Sequence, residues 1–178
     1  MNDKNAVREK LKIKRRYFGN YVREVADAVI FDNFFNAYSG FDSFLIYNSF
    51  GTETDTKKII SALLAEGKKV YLPRVEGGEM VAVPYGEMQK GAFGIEEPKG
   101  QAFTGEIDVT VIPLLAVNNR GYRVGYGKGF YDKYLKDKHT KKVGLGYCFQ
   151  IEDFAEDTHD IPLDEFLCEK GIFYYADK

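Results

Sequence analysis

The stretch from Asp108 to Leu135, DVTVIPLLAVNNRGYRVGYGKGFYDKYL, decides how this chain is read. Its opening, Asp108-Val-Thr-Val-Ile112, is rich in β-branched residues and reads as a buried strand, closed by Pro113. Asn118-Asn-Arg-Gly121 is a turn signal. Gly125, Gly127 and Gly129 then alternate, and residues 129–137 start a helix. In open α/β sheets, ligands bind beyond the carboxyl ends of the strands, so this segment is where chemistry is expected. A glycine-rich turn lets backbone N–H groups approach a phosphate, the start of a helix adds partial positive charge, and Arg123 and Lys128 add full charges. Asp132 offers carboxylate oxygens of the kind that hold Mg²⁺. The run is not a Walker A loop, GxxxxGK[ST], because Gly129 follows Lys128. Nor is it GxGxxG, because Phe130 stands at the last glycine. Taken alone it reads equally as a phosphate site or as a tight turn between strand and helix.

Outward from this stretch, strands and helices alternate. Residues 4–18 read as a helix with Val7 and Leu11 four apart, stopped by Gly19-Asn20. Residues 21–36 repeat the pattern with Val22, Val25, Ala26 and Val29 on one face. Ser43–Tyr47 is a short buried strand, and residues 55–66 form a helix carrying the pairs Ile59/Leu63 and Ile60/Leu64. Lys69–Leu72 reads as a strand cut by Pro73, with a hairpin over 70–83 turning at 76–79. Residues 84–105, rich in Gly and Pro, read as a long connection that leaves open whether it closes over a ligand. Lys142–Tyr147 is a further strand, and Leu163–Cys168 and Ile172–Tyr175 are short β-like pieces. The expectation is one α/β domain over residues 1–178, built on a mainly parallel sheet, with no internal repeat and no dividing linker.

Composition removes several classes. The chain has 178 residues, formal charge −2 and 44% apolar content, an ordinary globular balance that needs no disulfide or metal to stabilise it. No apolar run is long enough to span a membrane, and the charged start MNDKNAVREKLKIKRR is not a secretory signal, so a cytoplasmic protein is expected. Cys148 and Cys168 form no CxxC and read as a reduced thiol pair, and His139 and His159 are too few for a His-rich metal site. Near-neutral charge argues against a nucleic-acid binder. The charge is uneven, however. Residues 1–23 carry eight Lys/Arg against Asp3 and Glu9, and residues 150–178 carry nine Asp/Glu against Lys170 and Lys178. These segments read either as solvated faces or as a basic arm for an anion and an acidic segment for a cation.

The run from Pro113 through Arg123 to Gly125-Tyr-Gly-Lys-Gly-Phe-Tyr-Asp132, continued by Tyr134-Leu135, closely resembles the 5-formyltetrahydrofolate cyclo-ligase family, also called 5,10-methenyltetrahydrofolate synthetases. Satellites extend the resemblance from Lys4 to Asp164: Glu53-Thr-Asp-Thr56, Tyr71-Leu-Pro-Arg74, Gly94-Ile-Glu-Glu-Pro98, and Ile161-Pro-Leu-Asp164 preceded by Asp160. The resemblance implies a three-layer α/β/α fold with a mainly parallel sheet, of the type shared with sugar-phosphate isomerases and coenzyme A transferases. It implies ATP- and Mg²⁺-dependent conversion of 5-formyltetrahydrofolate to 5,10-methenyltetrahydrofolate, with ADP and phosphate released. The formyl oxygen is phosphorylated, N10 attacks the activated carbon, and phosphate leaves. No protein nucleophile is needed; the protein positions two anions and neutralises charge.

Residue roles follow by match. Lys4 and Arg8, one helical turn apart, match a basic pair on ATP phosphate. Arg123, Val124, Gly125, Tyr126, Gly127, Lys128, Gly129, Phe130 and Tyr131 match the ATP-binding run, and Tyr126 to Phe130 also face the folate. Glu53 matches the acid that binds the folate, and Asn48 falls on a substrate-contact position. Asp132 and Asp164 match Mg²⁺-binding acids. Family members carry Gly or Lys at 128, and Arg, Tyr or Met at 126. Implied partners are the folate and ATP alone, in a monomer or weak homodimer, with no nucleic acid and no membrane. Rival readings are an isomerase on the same fold, which needs a general base and no ATP, and a folate reservoir without turnover. The weakest rival is oligonucleotide binding by the basic arm.

Overall fold

The computed structural model describes residues 3–91 and 94–175. Two helices, α1 (Lys4–Tyr17) and α2 (Asn20–Tyr38), precede the first strand, β1 (Ser43–Ile46). Helix α3 (Lys57–Ala65) then leads into the hairpin of β2 (Lys69–Glu76) and β3 (Glu79–Pro84). A small hairpin, β4 (Met88–Lys90) with β5 (Glu96–Pro98), occupies the long connection. Next come β6 (Val109–Pro113), the short ribbon β7 (Ala116–Val117) with β8 (Arg123–Val124), helix α4 (Phe130–Leu135) and β9 (Lys141–Leu145). β10 (Glu165–Cys168) and β11 (Gly171–Tyr174) end the described chain.

Seven strands form one sheet in the order β11-β10-β9-β6-β1-β2-β3. The pairs β10/β9, β9/β6, β6/β1 and β1/β2 are parallel, and antiparallel β3 and β11 close the two edges. Strands buried on both faces favour apolar residues, and β1 and β6 are apolar except at Ser43 and Thr110, whose hydroxyls are hydrogen-bonded. On one face Phe44, Ile46, Val109 and Val111 pack with Ile30 of α2 and Ile59 of α3. On the other, Leu45 and Tyr71 meet residues of the α4 region such as Tyr134, and Ile112 and Phe166 pack with Leu135. Helices on both faces of a mainly parallel sheet make the three-layer α/β/α arrangement expected from the sequence.

Local readings differ at three points. The core face of α2 is Ala26, Ile30, Phe34 and Tyr38, each four apart, while Val22, Val25 and Val29 face solvent. Both stripes have helical spacing, and the one with the larger side chains removes more apolar area from water. Second, β2 is not cut at Pro73. The ladder with β1 ends at Tyr71, so Pro73 pairs only with Ala82 of β3 and its missing N–H is tolerated. Third, Cys148 and Cys168 are not two thiols but a disulfide, with Cα atoms 5.5 Å apart. Twenty residues separate them along the chain, but parallel β9 and β10 bring them together at adjacent strand ends.

The 84–105 connection is anchored on the β2–β3 hairpin. The buried Arg74 donates to the carbonyls of Pro98 (2.8 Å) and Gly100 (2.9 Å), and Phe103 stacks on Tyr71 at 4.5 Å. Residues 92 and 93 lie outside the described residues.

Candidate active site

Two segments leave the carboxyl edge of the sheet side by side: the loop after β1 and the ribbon after β6. The first is closed by reciprocal bonds. Ser49 N–H donates to Thr56 Oγ1 (2.9 Å), Thr56 N–H to Ser49 Oγ (3.1 Å), and Thr56 Oγ1 to the Tyr47 carbonyl (2.6 Å). Inside this clasp Glu53 folds back, its Oε2 accepting the Phe50 N–H at 2.8 Å. Asn48 is half-buried at its start.

The glycine run follows β8. Gly127 has φ +92° and Gly129 φ +67°, backbone regions that side chains with a Cβ rarely enter, so these two glycines of the alternation have a conformational cause. Gly127 also faces Arg8, whose guanidinium carbon lies 3.6 Å from where a Cβ would sit. Arg8 Nε donates to the Gly125 carbonyl at 2.9 Å. Phe130 opens α4, and Tyr131 packs beneath the loop with its phenol pushed up by burial. Because α4 has only six residues, its dipole is small beside the charges of Arg8 and Lys128.

Tyr126 joins the two segments. Its hydroxyl donates to Glu53 Oε1 (2.8 Å) and accepts from Arg15 Nη2 (2.6 Å). Burial, reinforced by the Glu53 charge, pushes this phenol up to about 12, so it stays protonated at neutral pH. Arg15 is the functional candidate that motif matching missed. A signal was present, since Arg15 continues the Val7–Leu11 stripe and a charge on an apolar face calls for a partner.

The charged residues divide into those on the loop and those spent elsewhere. Lys4 bonds Asp157 (2.7 Å) and Asp160, while Lys10 and Lys14 pair with Glu152 at 2.7 and 3.3 Å. Partial burial lowers Lys4, but the two aspartates outweigh it and the net shift is upward. The basic arm and the acidic segment therefore meet each other in this chain. Arg123 is buried against Asp132 (3.0 Å) and donates to the Ile161 carbonyl (3.0 Å), so its charge is balanced within the fold.

Asp132 and Asp164 differ as metal ligands. Asp132 Oδ1 accepts from Arg123 and the Ile161 N–H, leaving Oδ2 without a hydrogen bond among the described residues. A single carboxylate oxygen without a partner fits Mg²⁺, which takes one or two carboxylates and completes its octahedron with other oxygens. Asp164 lies beside the amino end of β9. Its Oδ2 accepts the Lys142 N–H (2.7 Å) and its Oδ1 pairs with Lys142 Nζ (3.0 Å). Asp132 and Asp164 thus have different hydrogen-bond partners among the described residues.

Sheet and loops together define a class: an open α/β protein whose carboxyl edge carries a glycine-rich loop flanked by a basic helix. The chain belongs to the 5-formyltetrahydrofolate cyclo-ligase family, whose model matches residues 1–169. The Haemophilus influenzae 5-formyltetrahydrofolate cyclo-ligase is 35% identical over 136 residues, covering 68% of this chain and 73% of that one. The Escherichia coli enzyme of the same name is 33% identical over 142 residues, covering 72% and 78%. The Aquifex aeolicus 5,10-methenyltetrahydrofolate synthetase superposes with TM-score 0.88 at 31% identity, covering 98% of this chain and 94% of that one. For the Mycoplasma pneumoniae synthetase the values are 0.79, 25%, 94% and 99%.

Proposed function

We propose that residues 1–178 act as a single domain that converts 5-formyltetrahydrofolate to 5,10-methenyltetrahydrofolate at the expense of ATP. The formyl oxygen attacks the γ-phosphorus and ADP leaves. N10 then attacks the activated formyl carbon, N10 loses its proton, and phosphate departs with its C–O bond. A formyl oxygen is a poor leaving group and phosphate a good one, so the transfer step removes the chemical obstacle. The chain's task is to hold two anionic molecules in line.

The observation that carries this reading is the 2.8 Å bond between Tyr126 and Glu53. It joins the glycine run, which would cradle the phosphates, to the carboxylate that would receive the pterin N–H donors, so the formyl group and the γ-phosphate would meet across one side chain. Arg8 and Lys128 would neutralise phosphate charge, with Lys4 joining them by leaving Asp157 and Asp160, the backbone from Arg123 to Tyr131 would line the nucleotide, and Asn48 and Glu53 would contact the folate. Asp132 would hold Mg²⁺ through Oδ2, and Asp164 would join it only by releasing Lys142. When bound, Mg²⁺ would supply charge neutralisation on the β- and γ-phosphates.

The test is a coupled assay with purified protein, 5-formyltetrahydrofolate, ATP and Mg²⁺, following the near-ultraviolet absorbance of the methenyl product alongside ADP. One ADP per methenyl product, abolished by chelation, is expected. ADP formation independent of the folate, or tight folate binding with no product, would overturn the reading.

A further inference from the structure

Arg15 is 6% exposed, yet among the described residues no carboxylate lies within ion-pair distance of it. Its guanidinium is instead shared among three neutral groups on two loops. Nε donates to Thr52 Oγ1 (2.9 Å), Nη2 to Tyr126 Oη (2.6 Å), and Nη1 reaches the Leu114 carbonyl (3.4 Å). The guanidinium carbon also sits 5.7 Å from the centre of the Tyr126 ring. A buried cation balanced only through neutral groups is costly and persists where the surrounding fold holds it. Glu53 supplies its balancing charge at second hand, through the Tyr126 hydroxyl.

Helical spacing connects this to the rest of α1. Positions 4, 8, 11 and 15 share one face, so Lys4, Arg8 and Arg15 lie along the same edge of the helix. Arg8 rests on Gly125 and Gly127, and Arg15 rests on Tyr126. Helix α1 is thus a splint along the glycine run, with the two phosphate candidates nearer one end and a grip on the folate loop at the other.

We propose that Arg15 is a positioning residue that couples the nucleotide arm to the folate loop. It rests on the functional reading above and adds to it a coupling and a residue. A nucleotide held by Lys4 and Arg8 fixes α1, and α1 then fixes Tyr126, Thr52 and Glu53 through Arg15. Each ligand thereby makes the other's loop more ordered, which is positive coupling and is reciprocal by linkage.

The first measurement is amide hydrogen exchange over residues 50–54 of the whole chain, with and without a non-hydrolysable ATP analogue and Mg²⁺. The wild type is expected to slow several-fold in this segment when the analogue binds. R15Q, which keeps Lys4 and Arg8, should bind the analogue and show no such slowing. The second is calorimetric binding of 5-formyltetrahydrofolate with and without the analogue. The wild-type enhancement, expected to exceed about five-fold, should fall below about two-fold in R15Q, and R15Q/Y126F should be no worse than the weaker single variant. If R15Q does not fold, T52V and Y126F carry the same two measurements. Retention of the wild-type protection and enhancement in the variants overturns the proposal even if the protein is a fully active cyclo-ligase. Protection transferred in the wild type and lost in R15Q supports it even if no methenyl product forms. A chain that binds no nucleotide overturns both.

Discussion

At the amino ends of β1 and β6 one carboxylate fastens two strands. Asp108 Oδ2 accepts the N–H groups of Asp42 (3.0 Å) and Ser43 (2.9 Å), and the Asp108 N–H donates to Ser43 Oγ (2.9 Å). Slight burial raises this carboxyl, but the bonds from Ser43 and Asp42 outweigh it and hold it below the ordinary value of 3.8. A folded value below the unfolded one means stability that is present above about pH 4 and lost as pH falls through the folded value. Because this carboxylate is exposed and screened by solvent, Asp108→Ala should cost at most about 1 kcal/mol at pH 7. The gap in melting temperature from wild type should close on acidification, as read by thermal unfolding from pH 7 to strongly acidic buffer. A gap unchanged by pH would show that the contribution is not electrostatic. Residue roles of this kind were only partly legible. The glycine run stood out by its alternation and Glu53 by the family resemblance, whereas Arg15 is an ordinary basic residue until the fold shows it bridging two loops, and Arg123, expected to face a phosphate, is paired with Asp132.

Among elements, α1 carries the most mixed duty. Val7 and Leu11 are buried with Leu115, Ala116, Val124 and Phe154, so the helix that bears the phosphate candidates is also part of a core cluster. Deleting residues 1–8 removes Val7 along with Lys4 and Arg8, and should cost about 1.5–3 kcal/mol of stability. Lys4→Ala with Arg8→Ala keeps Val7. Its stability cost comes from the part-buried Lys4–Asp160 pair rather than from apolar packing, while KM for ATP should rise about tenfold, equivalent to one removed charge-assisted contact. Thermal unfolding and steady-state kinetics on the two variants separate packing from binding. An unchanged KM in the double substitution would remove the arm from the site. The helix itself was readable from its periodicity. Its docking was not, because Lys4, Lys10 and Lys14 find their partners in residues 152–160, far away in sequence.

At the scale of the molecule, parallel β9 and β10 bring Cys148 and Cys168 to neighbouring strand ends. The bond closes a loop of twenty residues, and loops of that size contribute up to about 3 kcal/mol by restricting the unfolded chain. Cys148→Ser with Cys168→Ser should lower the melting temperature by several degrees and leave methenyl formation within about two-fold of wild type, since less than 0.5 kcal/mol of transition-state stabilisation would be lost. A well-folded but inactive double variant would place the pair in the chemistry.

The sequence by itself determined the alternation of strands and helices, the mainly parallel sheet, the β2–β3 hairpin and the glycine run at a strand's carboxyl end. These follow from local periodicity, turn chemistry and backbone freedom, all of which act over a few residues. Only the tertiary structure decided which stripe of α2 is buried, that Pro73 sits inside a strand, that the two cysteines are joined, and that Asp132 and Asp164 have separate partners. Each of those outcomes depends on what another part of the chain places alongside. Burial, ladder partners, sulfur proximity and carboxylate pairing are properties of two segments at once, and a single segment's composition leaves them open.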